Sequence, residues 1–194
     1  MDDEKCTICL EDFKINAFEE EIYHTVDEDI YQLPCSHRYH KGCLKEMIGT
    51  SKWIKCPVCG TIYGKMMGDQ PDGTMKHKVD KNMKCPGFPP GTIIINYNMH
   101  AGIRNGKNFP GTSRTGYLPD TAEGREVLKL LQECFNRKLT FTVGRSVTTG
   151  LDNQIVWNGI HHKTCLNGGV ASFGYPDDTY LKRVKEELAA KGIS

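Results

Sequence analysis

The sequence predicts an α+β protein in two parts, a small metal-stapled module followed by a larger mixed domain, and three observations carry that expectation. Six of the nine cysteines fall within the first 59 of 194 residues. Beyond residue 63, β-branched and aromatic segments mix with amphipathic ones without regular βαβ alternation. The charge divides at the same place, with 7 Lys+Arg against 12 Asp+Glu in residues 1–60 and 18 against 12 in residues 61–194. A chain of this length can build one core domain and one small stapled module. The basic second half suits an anionic ligand, although a charge surplus by itself is most simply a solvated surface.

The first residues, MDDEKC, are acidic where a secretory leader would be basic and then apolar. A reducing compartment, cytoplasmic or nuclear, is therefore expected, and crowded cysteines there point to metal rather than disulfides. The longest apolar stretches are too short to span a bilayer, so a soluble protein with no membrane partner is expected.

The ligand types run Cys6-x2-Cys9, then 25 residues, Cys35-x-His37-x2-His40-x2-Cys43, then 12 residues, and Cys56-x2-Cys59. Eight ligands complete two tetrahedral sites, and a Cys-x2-Cys knuckle lets two thiolates meet one ion at about 2.3 Å. Closed four-ligand sites leave no position for water, so two Zn2+ ions here are structural. This order, three cysteines, two histidines and three cysteines, resembles a RING finger. The resemblance implies a cross-brace, with Cys6, Cys9, His40 and Cys43 on one ion and Cys35, His37, Cys56 and Cys59 on the other. His24 is a spare candidate in the acidic segment FEEEIYHTVDEDI, which is expected to be exposed. RING domains dock a ubiquitin-charged conjugating enzyme through an apolar residue in the first knuckle, one on the following short helix and a proline in the last knuckle. Those places are Ile8, Met47 and Pro57; the competing reading is that Ile8 and Met47 merely cover the zinc loops. Gly60 stands where many RINGs carry a basic residue.

Past Cys59, YGKMMGDQPDGTM reads as a turn-rich linker, dividing the chain into residues 1–62 and 63–194. GTIIINYNM, LTFTVG and QIVW have the composition of strands. In DTAEGREVLKLLQECFNRK, Val127, Leu128, Leu131, Cys134 and Phe135 share one helical face, and Asp120 with Glu123 offers a capping-box-like start. Cys134 on that stripe is most simply a buried thiol. A last helix is expected from about Asp178 to Lys191, stopped by Gly192.

The segments YLPDTAEGREVLKLL, FTVG, WNGIHHKT and GYPDDTYLKRVKEEL resemble the Deltex C-terminal domain, which in the Deltex family of ubiquitin ligases directly follows a RING. The family commonly has a longer segment before FPG than GIRNGKNFPG provides. The resemblance implies binding of ADP-ribose, free or attached to a protein or nucleic acid, and transfer of ubiquitin to lysines and to an ADP-ribose hydroxyl. It places His161 and Glu187 at the family's positions for deprotonating that hydroxyl. It also places Phe173 where the family has an aromatic or histidine.

Read from residues alone, WNGIHHKTC leaves several roles open. His162-x2-Cys165 is half a zinc site that needs Cys85, His100 or Cys134 to complete it. Neighbours on an extended segment point to opposite faces, so one histidine can pack while the other meets a ligand. The ADP-ribose site that the resemblance implies needs pyrophosphate donors and an apolar face, which Gly144, Ser146 and Thr148 in VGRSVTTG and the indole of Trp157 can supply. That turn is equally a plain hairpin connection, and Glu187 equally a solvated charge paired with Arg183 or Lys191 four residues away. A non-catalytic zinc module that binds nucleic acid is the alternative from another class, but no Lys/Arg runs interleave with aromatics here.

Overall fold

The structure is a computed structural model and describes residues 5–13 and 29–194. His24 and all but the last two residues of the acidic segment lie outside the described residues. Contacts divide the chain into two units, Met1–Met66 and Met67–Ser194.

The first unit is built of short pieces, β1 (Ile30–Gln32), β2 (Arg38–His40), α1 (Lys41–Ile48), β3 (Trp53–Lys55) and β4 (Ile62–Gly64). The strands pair as two antiparallel ribbons, β1 with β2 and β3 with β4. β4 lies across the 62/63 division read from composition. The core is small: Phe13, Leu33, Tyr39, Leu44 and Ile54 with the thiols of Cys6 and Cys56. Ile8, Ile30, Ile48 and Tyr63 pack on its margin. So few apolar side chains do not offset the entropy of ordering such a chain, which is why ligand geometry has to contribute.

The second unit centres on a three-stranded antiparallel sheet in the order β5-β6-β9, with β5 spanning Gly73–Lys84, β6 Pro90–Met99 and β9 Thr112–Pro119. Between β6 and β9 lies a small ribbon of β7 (Gly102–Arg104) and β8 (Lys107–Phe109). On β6, Ile93, Ile95, Tyr97 and Met99 alternate into the core, while Asn96 and Asn98 face out. GTIIINYNM is thus the central strand. The turn-rich reading of residues 63–75 is corrected at both ends, because Tyr63 and Gly64 belong to β4 and Gly73–Met75 begin β5.

Helix α2 (Ala122–Asn136) buries Val127, Leu128, Leu131 and Cys134, the predicted face, and burial pushes the Cys134 thiol up. Its cap is Thr121 rather than Asp120: Thr121 Oγ1 accepts the Gly124 amide at 3.1 Å, while the Asp120 carboxylate is taken by Arg125. Glu123 reaches Lys185 instead of closing a capping box. Helix α3 (Tyr180–Ala189) packs Tyr180, Leu181, Val184 and Leu188 into the same core. Strands β10 (Phe141–Gly144) and β11 (Gln154–Trp157) form an antiparallel hairpin. No helix among the described residues is long and apolar enough to cross a membrane.

Candidate functional site

In the first unit the structure gathers two groups of four ligands, Cys6, Cys9, His40 and Cys43 in one and Cys35, His37, Cys56 and Cys59 in the other. Within each group the ligating atoms lie within 4.8 Å of one another. Two ligands on a tetrahedral zinc, one sulfur and one nitrogen, are separated by about 3.6 Å. The corresponding separations are 3.3 Å for Cys9 Sγ to His40 Nδ1, 3.3 Å for Cys35 Sγ to His37 Nδ1 and 3.5 Å for Cys56 Sγ to His37 Nδ1. The residues therefore fit one zinc per group, each with histidine ligating through Nδ1.

Local electrostatics favour thiolate at one sulfur of each group, while burial and the neighbouring Cys9 and Cys6 sulfurs push Cys43 up to about 11. Burial pushes the Cys6 thiol up, but the backbone amides of Cys9, His40 and Ile8 outweigh it and bring it down to about 6. Cys56 also reaches about 6 against burial, through the Cys59 amide and the Tyr39 hydroxyl, which lies 3.0 Å from its sulfur. Amides aimed at a knuckle favour thiolate, the form that binds metal. The zinc ions would supply folding energy and no open coordination position. Of the expected docking residues, Ile8 is half-buried against the core, Met47 on α1 is 41% exposed and Pro57 is exposed.

In the second unit, the sequence WNGIHHKT forms the end of β11 and an extended run beside the edge of β9, where the Tyr117 amide donates to the Lys163 carbonyl at 2.8 Å. The two histidines take opposite sides of this run. His162 is buried: its Nδ1–H donates to the Ile160 carbonyl at 3.0 Å, and its Nε2 accepts the Tyr97 hydroxyl at 2.8 Å. Burial lowers it to about 4, so it packs as a neutral ring. Gly116 makes room for it, since a Cβ there would stand 3.2 Å from the imidazole.

His161 has its side chain 69% exposed. Its backbone amide donates to Glu187 Oε2 at 2.8 Å and its Nδ1 lies 2.6 Å from Oε1 of the same carboxylate. Because a carboxylate accepts, Nδ1 carries a proton, which leaves Nε2 as the nitrogen that can act as a base. The Tyr180 hydroxyl donates to the His161 carbonyl at 3.2 Å, holding the run against α3. Glu187 is thus not the solvated partner of Arg183 or Lys191; both its oxygens are committed to His161.

A cleft of about 460 Å³ opens beside this pair, with Arg114, Thr148, Trp157, His161, Thr164 and Phe173 on its wall. A second hollow of about 340 Å³, with His161, Lys163, Phe173, Tyr180, Arg183 and Glu187 on its wall, adjoins it. His161 and Phe173 belong to both, and Phe173 is 59% exposed. Of the residues expected to meet a ligand, Thr148, Trp157, His161 and Phe173 come together. Gly144 and Ser146 are not on the cleft wall: Gly144 pairs with Gln154, and Ser146 closes the hairpin through its amide to the Leu151 carbonyl at 2.8 Å. The indole of Trp157 stacks on His162 at 4.1 Å and on Phe141 at 4.5 Å, so its stacking surface is engaged within the domain. Cys85, His100, Cys134 and Cys165 form no cluster; the two groups in the first unit are the metal-competent ones among the described residues.

Sequence reasoning missed Arg114 and the buried cluster around Asp177. Arg114 on β9 meets only neutral acceptors among the described residues, Thr112 Oγ1 and the Ser113 carbonyl. A cation without a carboxylate on a cleft wall is a ready anion contact. Lys163 and Asp177, with side chains 4% and 2% exposed, pair at 2.6 Å. A lone arginine in a polar strand and a lysine two residues after a histidine carry no local signal of these roles.

A two-zinc RING finger followed by a mixed domain with an exposed histidine–carboxylate pair in a cleft defines the class of protein. The family model of the Deltex C-terminal domain matches residues 67–193 and that of the ring finger domain residues 4–60. The chain belongs to the Deltex family. It is 45% identical over 168 residues to the probable E3 ubiquitin-protein ligase DTX3 of Homo sapiens, covering 82% of this chain and 48% of that protein. It is 39% identical to the E3 ubiquitin-protein ligase DTX4 of Mus musculus and 40% identical to DTX1 of Homo sapiens. Each of these two alignments covers 99% of this chain and 33% of the relative. The chain thus spans half or less of the length of these curated relatives.

Proposed function

We propose that this chain carries out the ubiquitin transfer of a RING-type E3 ubiquitin ligase whose second domain binds ADP-ribose, free or attached to a protein or nucleic acid. The ligase names of the curated relatives and the two zinc-competent groups support the first half. Ile8, Met47 and Pro57 dock the conjugating enzyme that carries ubiquitin as a thioester. The single observation that carries the second half is the His161–Glu187 pair on the wall of a cleft of ligand size.

A lysine amine attacks a thioester unaided. A ribose hydroxyl needs its proton removed as the oxygen attacks. His161 Nε2 accepts that proton while Glu187, bound to Nδ1–H, holds the ring and stabilises the imidazolium. The hydroxyl oxygen bonds to the carboxyl carbon of ubiquitin, the carbon–sulfur bond breaks, and the conjugating enzyme leaves as thiolate. Arg114 faces the diphosphate and Phe173 packs on a ring of the ligand.

Calorimetric titration of the purified zinc-loaded protein with ADP-ribose tests this reading. Saturable one-site binding, weakened at least about tenfold by Arg114→Ala, is expected. Heat no greater than dilution, or affinity unchanged in Arg114→Ala and His161→Ala, would contradict it.

A further inference from the structure

Arg183 and Glu187 stand four residues apart on α3, the spacing at which a helix brings an arginine onto a carboxylate. No hydrogen bond joins them. Both terminal nitrogens of Arg183 go to Asp177 instead, Nη2 to Oδ2 at 2.8 Å and Nη1 to Oδ1 at 3.2 Å, and Nη1 also meets Thr179 Oγ1. The Asp177 carboxylate accepts five hydrogen bonds, from Lys163 Nζ, from both Arg183 nitrogens, and from the Thr179 amide and hydroxyl. Arg183, chiefly, with Lys163 and Thr179, holds the Asp177 carboxyl well below the usual carboxylate range, against burial, which pushes it up.

Stability alone does not call for this cluster. A buried ion pair is often replaced by apolar side chains of similar volume without loss, because its attraction barely exceeds the desolvation of its charges. Lys163 lies between the rings of Tyr175 and Tyr180, 5.7 Å and 5.2 Å from their centroids, a setting that would hold an apolar side chain well. The arrangement does decide which carboxylate receives the guanidinium. A guanidinium is charged at every relevant pH and binds carboxylates bidentately, so it outcompetes a neutral imidazole for Glu187 when free to reach it.

We propose that Asp177 is a decoy for Arg183: by holding the guanidinium it reserves the Glu187 carboxylate for His161. Lys163, two residues beyond His161 on the same extended run, pins the decoy to the segment that carries the base. Asp177, Lys163 and Arg183 are positioning residues in this inference, acting on the reaction through Glu187. The inference rests on the reading of His161 and Glu187 as the working pair.

The test removes the decoy without stranding a buried charge, in the zinc-loaded chain bearing Lys163→Met and Asp177→Leu, with and without Arg183→Gln. Two readouts are taken, the tautomer of His161 by 15N NMR and ubiquitin transfer to free ADP-ribose. The double variant is expected to lose the Nδ1–H preference and to transfer at least about tenfold more slowly. Adding Arg183→Gln is expected to bring both back although it restores no bond to Asp177, a recovery that a merely structural role does not produce. Should the apolar pair not fold, Lys163→Gln with Asp177→Asn, with and without Arg183→Gln, carries the same comparison. A decoy-less chain that keeps the parent tautomer and rate, or a loss that Arg183→Gln leaves in place, overturns the inference. A Glu187→Gln variant run alongside separates the two claims. If it transfers to ADP-ribose at the parent rate, the catalytic reading falls, while the tautomer readout still decides whether Asp177 guards Glu187.

Discussion

The two halves of this molecule solve the same problem by opposite means. The first unit has a core of a handful of apolar side chains and two four-ligand groups, so its shape is held by coordination. The second buries a continuous apolar core spanning the sheet and both helices, and adds a satisfied polar network under its cleft. The difference teaches where function can sit. A metal-held fold can leave apolar residues, such as Met47, exposed on its surface. A core-held fold can afford an exposed base at the end of a rigid run.

The largest way to break the comparison is to remove zinc. Structural zinc sites contribute about 10–16 kcal/mol at neutral pH, more than a small module's whole stability. A strong chelator should collapse the NMR dispersion of residues 29–66 while residues 67–194 keep theirs. Equal loss in both units would mean that the second also depends on metal.

Next comes the buried pair. Asp177→Ala leaves Lys163 uncompensated at 4% exposure and should destabilise the second unit by about 3–5 kcal/mol, whereas Lys163→Met with Asp177→Leu should cost far less. Denaturant midpoints of the two variants read the difference. Equal losses would show that packing, not charge, is what matters there.

His162 sharpens the comparison by pH. Its folded value of about 4 lies below the ordinary 6.5, so the unfolded chain binds the extra proton between those limits. The stability it contributes is present above pH 6.5 and is lost as pH falls towards 4, by about 3 kcal/mol in all. Hydrogen exchange of the sheet amides should show that slope in the parent and lose it in His162→Gln.

Smallest in free energy is the docking face. Ile8→Ala should leave both zinc ions bound and the fold intact while removing roughly 1–2 kcal/mol of contact with the conjugating enzyme. Lysine ubiquitylation should fall in proportion. Unchanged transfer would assign Ile8 to packing.

How much of this was legible in the sequence follows the same division. Coordination is written in ligand order, so the eight ligands could be read before any geometry, and the resemblance to a RING implied their division into two groups. β6 was legible because its residues are apolar and β-branched. β5, GTMKHKVDKNMK, was not, because it pairs on one side only and carries the lysines and polar residues typical of an edge strand. Asp120 and Thr121 are both good caps, and only the pull of Arg125 on Asp120 decides between them. Opposite exposure of the two histidines followed from alternation along an extended run. That Glu187 would choose His161 over Arg183 did not, since it depends on Asp177, which is ten residues earlier in the chain and met only through folding.

The central claim is that the second domain supplies a base for a hydroxyl acceptor, and one side-by-side assay tests it most directly. Parent and Glu187→Gln are given the same ubiquitin-charged conjugating enzyme, with lysine in one reaction and free ADP-ribose in the other. The account predicts lysine transfer unchanged and ADP-ribose transfer reduced by roughly 10²–10⁴, the usual cost of a lost acid–base function. Equal rates of the two proteins on ADP-ribose, or an equal fall on both acceptors, would contradict it.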